Sequence, residues 1–171
     1  FDGAMARELR EAVAAASIRE DIRVIVLAGR GAVFCAGADL EWMKTVAGFS
    51  REENLADAAD LVELFETLDR SPKAVVACVQ GAALGGGAGL VAVADIAVAE
   101  EGARFGFSEV RLGLVPSVIS PYVVRKIGGV PQWVRSIPRE RRRADRENVA
   151  VEQPLAVWRV GPTKHGPDRD V

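Results

Sequence analysis

Three consecutive glycines, Gly85-Gly86-Gly87, stand between one apolar run, Ala74-Val75-Val76-Ala77-Cys78-Val79, and a second from Leu90 to Val93. That order predicts a strand, a tight crossing and a helix. The missing side chains let a ligand reach backbone N–H groups that have no intrahelical partner. Spacing excludes the phosphate cradles. A dinucleotide fingerprint needs glycine at its first, third and sixth positions, and counting from Gly85 the sixth is Leu90. No glycine loop runs into Gly-Lys-Ser or Gly-Lys-Thr, so a P-loop is absent as well. Two readings of the loop remain. Either it only permits close packing, or its N–H groups stabilise a developing oxyanion.

Upstream, Arg23-Val24-Ile25-Val26-Leu27-Ala28 reads as a buried strand that passes through Gly29-Arg30-Gly31 into Val33-Phe34-Cys35-Ala36-Gly37-Ala38-Asp39-Leu40. Met5, Leu9, Ala12, Val13 and Ala16 recur at helical spacing, as do Leu55, Ala58, Val62, Phe65 and Leu68, and both sets read as core stripes. The second helix ends at Asp69-Arg70-Ser71-Pro72, because proline disfavours helix in the residue before it. Helix and strand alternate along the chain, which predicts βαβ units and a mostly parallel sheet.

Three segments occur in order: Phe34-Cys35-Ala36-Gly37-Ala38-Asp39-Leu40, then Gln80-Gly81-Ala82-Ala83-Leu84-Gly85-Gly86-Gly87, then Phe105-Gly106-Phe107-Ser108-Glu109-Val110-Arg111-Leu112-Gly113-Leu114-Val115-Pro116. Together they resemble the enoyl-CoA hydratase/isomerase (crotonase) family, over Phe1 to about Gly128. Within it, Glu41-Trp42-Met43-Lys44 and Ser117-Val118-Ile119-Ser120-Pro121-Tyr122-Val123-Val124 look most like bacterial methylglutaconyl-CoA hydratases. The resemblance implies an α/β fold: a crotonase-like ββα spiral core with parallel sheets flanked by helices, incomplete in this chain. It implies an acyl-CoA substrate and no separate cofactor, since coenzyme A is part of the substrate. The thioester oxygen would sit between the N–H groups of Ala38 and Gly86. The loop Ala36, Gly37, Ala38, Asp39 and Leu40 would hold the adenine through its carbonyls. Glu109 would be the catalytic acid/base at the acyl chain, and the full-length protein would be a homotrimer or a dimer of trimers.

One position departs from the family pattern. The usual first catalytic glutamate falls three residues after the middle glycine, where this chain has Gly89. Hydration needs a group that takes a proton from water and a source for the proton that ends on the α-carbon. One glutamate can do both through the same water. A single glutamate also serves the family's double-bond isomerases, so isomerisation stays open, as does a catalytically silent fragment that keeps only the fold core.

The remaining composition narrows the setting. The 171 residues are 49% hydrophobic with a net charge of -2, enough apolar material for one core and no overall basic bias toward nucleic acid. No long uncharged apolar run offers a membrane span. Cys35 and Cys78 stand alone and read as small buried residues in a reducing cytoplasm. His165 is the only histidine, which argues against a Ser-His-Asp triad and a His-based metal site. From Val130 to Val171 the character changes, with five of the eight prolines and nine Lys/Arg against six Asp/Glu. The domain reading is therefore a crotonase-like core over 1–129, lacking its N-terminal strands, and a divergent, poorly ordered tail over 130–171.

Overall fold

The computed structural model describes residues 1–107, Glu109, residues 114–127 and the backbone of residues 157–159. The chain opens with α1 (Gly3–Ser17), whose first turn is fixed by Asp2: its side chain accepts a hydrogen bond from the Met5 N–H at 2.8 Å. Then come β1 (Val24–Ala28), α2 (Leu40–Val46) and α3 (Arg51–Asp69). A capping box starts α3, Ser50 accepting from the Glu53 N–H while the Glu53 carboxylate accepts from the Ser50 N–H. Beyond α3 follow β2 (Ala74–Val79), β3 (Ala82–Leu84), α4 (Gly86–Val93), β4 (Ile96–Ala99), β5 (Arg104–Gly106), α5 (Ser120–Ile127) and β6 (Val157–Arg159).

Two parallel sheets result. The larger runs β1-β2-β4-β6, with Ile25 opposite Val75, Val76 opposite Ile96 and Val98 opposite Trp158. The smaller pairs β3 with β5, Ala83 opposite Phe105. Parallel neighbours need a crossover, and α3 and α4 supply two of them. The chain is α/β with parallel sheets and helices, as the alternation predicts. The tail over 130–171 lies outside the described residues except at β6, whose backbone adds the fourth strand to the larger sheet.

The core gathers on one face of that sheet. Ile25, Leu27, Val75, Ala77, Val79, Ala97 and Ala99 meet Leu64, Phe65 and Leu68 of α3 and Leu90 and Val91 of α4. Phe65 is fully buried, which is worth roughly 1.5–3 kcal/mol by transfer. Its ring stacks on Tyr122 of α5 at 5.4 Å between centroids. The Lys126 ammonium caps the end of α4 by donating to the carbonyls of Ala94 (2.6 Å) and Asp95 (3.1 Å). Burial pulls the Lys126 pKa below its ordinary value, against the opposing pull of Asp95.

Four expectations need correction. The α1 stripe fails at Met5, 44% exposed, and at the exposed Ala12, and Cys78 is half-buried rather than buried. The strand 23–28 does not read out as buried: Val24 and Val26 are 48% and 59% exposed, because no described element packs on the face they share with Ile96. The α3 stripe also fails at Leu55, which is 56% exposed, and at Val62; Leu64, outside that stripe, is fully buried instead.

Candidate active site

The crossing from β3 to α4 builds the site. Gly85 is the N-cap of α4, at φ 54° and ψ −122°, a backbone conformation that L side chains rarely adopt. Its N–H donates to the Gly106 carbonyl at 2.9 Å, tying the crossing to the end of β5. From there the chain carries Glu109 back against Gly85. A Cβ on Gly85 would lie 2.9 Å from Glu109 Oε1, so only glycine leaves that carboxylate its place. Glu109 Oε2 is buried and has no hydrogen-bond partner among the described residues. A buried acceptor left unsatisfied costs free energy, and such a group in a cavity wall marks a site that awaits a donor.

The second wall is zipped to the first. Cys35 bridges to Ala83: the Cys35 N–H donates to the Ala82 carbonyl at 3.0 Å and the Leu84 N–H donates to the Cys35 carbonyl at 2.9 Å. One turn on, a Cβ at Gly87 would sit 2.4 Å from Cys35 Cβ, so glycine is what allows α4 to approach this loop. The following residues, Ala36 to Leu40, are thereby brought beside the start of α4. The Asp39 carboxylate accepts from the Trp42 N–H at 2.8 Å and caps α2, while its own N–H donates to the Phe1 carbonyl. The Gly86 N–H is the first of α4 and has no intrahelical acceptor. Among the described residues neither it nor the Ala38 N–H donates to a protein group.

Ala38, Gly86 and Glu109 all line one open cavity of about 990 Å³, and so do Ala36, Gly37, Asp39 and Leu40. Its ionisable side chains are Arg30, Asp39, Glu41 and Glu109. Gly89 is not on that wall. A Cβ there would meet Ile119 Cγ2 at 2.5 Å and the Phe65 ring at 2.9 Å, so the position where a second carboxylate would stand is closed by core. Ile119 and Phe65 had no sequence signal for this role, because their meeting with Gly89 depends on how α3 and α5 pack on α4. Among the described residues no group of three or more His, Cys, Asp or Glu side chains is placed to hold a metal ion, and His165 lies outside them.

The family model for enoyl-CoA hydratase/isomerase matches residues 1–132. The chain belongs to the enoyl-CoA hydratase/isomerase family. A Legionella pneumophila chain whose crystal structure carries that family's crotonase name is 54% identical, with a TM-score of 0.73 over 75% of this chain and 49% of that one. An enoyl-CoA hydratase structure from Shewanella pealeana gives 44% identity and a TM-score of 0.75, covering 79% of this chain and 50% of that one. A Thermus thermophilus protein bearing an enoyl-CoA hydratase name is 40% identical over 124 residues, 72% of this chain and 49% of its own length. This family member thus spans about half the length of the relatives it matches. The crotonase fold of those structures is the fold described above.

Proposed function

We propose that this chain acts on α,β-unsaturated thioesters of coenzyme A and adds water across the double bond, with methylglutaconyl-CoA-like acyl groups as the substrate class. The observation that carries the reading is the unpaired, buried Oε2 of Glu109, set against Gly85 in the cavity that Ala38 and Gly86 also border. In this reading the two free N–H groups donate to the thioester oxygen. They strengthen their hold as negative charge develops there, an effect typically worth about 2.7–4 kcal/mol per donor. Glu109 takes a proton from water as its oxygen bonds to the β-carbon, the C=C electrons move toward the thioester, and the α-carbon then takes a proton from the same carboxyl. The loop from Ala36 to Leu40 receives the adenine. No cofactor enters, because coenzyme A arrives with the substrate. The methylglutaconyl preference, a homotrimer or dimer of trimers for the whole protein, a cytoplasmic setting and a boundary near residue 129 rest on the sequence resemblance and composition.

The closure of the Gly89 side by Ile119 and Phe65 favours a second reading, double-bond isomerisation, in which Glu109 alone moves a proton along the acyl chain. Turnover of a panel of 2-enoyl and 3-enoyl thioesters, by the parent and by Glu109→Gln, decides between them. Hydration of 2-enoyl substrates that falls by about 10²–10⁴-fold in the variant supports the first reading. Conversion of 3-enoyl to 2-enoyl thioesters without hydration supports the second. A variant as active as the parent removes Glu109 from either mechanism.

A further inference from the structure

The cavity wall carries three carboxylates, Asp39, Glu41 and Glu109, against one cationic side chain among the described residues, Arg30; the Phe1 ammonium, also on this wall, donates to the Gly37 carbonyl at 3.2 Å. Asp39 is occupied in capping α2, and Glu41 is paired with Lys44 at 2.6 Å. Arg30 is exposed and makes no ion pair or hydrogen bond among the described residues. Its backbone is nevertheless held. The Gln80 side-chain amide donates to the carbonyls on both sides of Arg30, Gly29 at 2.7 Å and Gly31 at 3.2 Å, and the Gln80 carbonyl accepts from the Phe34 N–H at 2.9 Å. A clamp on both neighbours fixes the backbone from which the guanidinium projects, and a permanently charged fork without a partner is suited to a phosphate. Without Arg30 the ionisable side chains of the wall would all be carboxylates, which repel a phosphate-bearing ligand.

We propose that Arg30 is a specificity-determining residue: its guanidinium binds a phosphate group on the coenzyme A arm of the substrate and so selects the carrier rather than the acyl group. The inference rests on the acyl-CoA reading above, and its test separates the two. Calorimetric titration of the full chain and of Arg30→Ala and Arg30→Lys uses three ligands: coenzyme A, dephospho-coenzyme A, which lacks the ribose phosphate, and pantetheine, which lacks every phosphate. Arg30→Ala should weaken coenzyme A binding about 5-fold at low salt, the effect of losing one solvent-exposed ion pair, and Arg30→Lys should recover part of it. Added salt should shrink the difference, and pantetheine binding should stay within about two-fold of the parent. A loss that persists with dephospho-coenzyme A assigns the contact to the diphosphate, and one that vanishes assigns it to the ribose phosphate; both support the inference. Equal weakening of all three ligands, or no weakening of any, overturns it and leaves the acyl-CoA reading standing. Failure of the parent to bind any of the three overturns both.

Discussion

Gly85 and Gly89 lie one helical turn apart on α4 and are glycine for opposite reasons. At Gly85 the absent side chain keeps space open, so that a carboxylate stands 2.9 Å from where a Cβ would be and a cavity of about 990 Å³ reaches the start of the helix. At Gly89 the absent side chain lets space be filled, with Ile119 and Phe65 pressed to 2.5 Å and 2.9 Å of the same imaginary atom. One glycine-rich turn thus has an equipped, solvent-reaching side and a closed, apolar side. The asymmetry explains how this turn has a carboxylate against one side alone, Glu109 at Gly85: the Gly89 side is occupied by packing.

The largest effect that sharpens this contrast comes from forcing a carboxylate onto the closed side. Gly89→Glu must displace Ile119 and the Phe65 ring and bury a charge among them, and overpacking alone typically costs 1–3 kcal/mol. We expect a stability loss of about 3 kcal/mol or more in denaturant unfolding; a variant that stays within about 0.5 kcal/mol of the parent would show that the closed side is not closed. On the open side a smaller change suffices. Gly85→Ala places a methyl against Glu109 Oε1 and holds a non-glycine residue at φ 54°, for which we expect a loss of about 1–3 kcal/mol together with reduced turnover as the carboxylate shifts. If Gly85→Ala matches the parent in both stability and rate, the glycine is not what positions Glu109.

The open side was the more legible of the two in the sequence. Gly85 to Gly87 between two apolar runs mark a strand-to-helix crossing, although the strand that enters it is the short β3 and not the run 74–79, and the motifs around Ala38 and Glu109 fall on the cavity that Gly86 also lines. The closed side was not legible, since Gly89 signals a missing carboxylate without saying what replaces it; Ile119 reaches it only through the docking of α5, a contact 30 residues away in the chain. The helical stripes failed for a related reason. Periodicity finds a face of α3 but not how much of it lies under the sheet, so Leu55 is exposed where Phe65 and Leu68 are buried. Alternation in β1 was hidden by a run that is apolar on both faces, with Val24 and Val26 turned away from the core and Ile25 and Leu27 toward it. Arg30 carries no signal in the sequence beyond its place between two glycines, because the hold of Gln80 on both neighbours joins residues about 50 positions apart.

The central claim is that the open side of this turn is an oxyanion site served by one carboxylate. A crystal structure of the chain with a saturated acyl-CoA thioester tests it most directly. The account predicts the thioester oxygen at about 2.7–3.1 Å from both the Ala38 and Gly86 amide nitrogens, the Glu109 carboxylate facing the α- and β-carbons, and no carboxylate from the Gly89 side. A thioester oxygen held by neither amide, or an acyl chain turned away from Glu109, would contradict it.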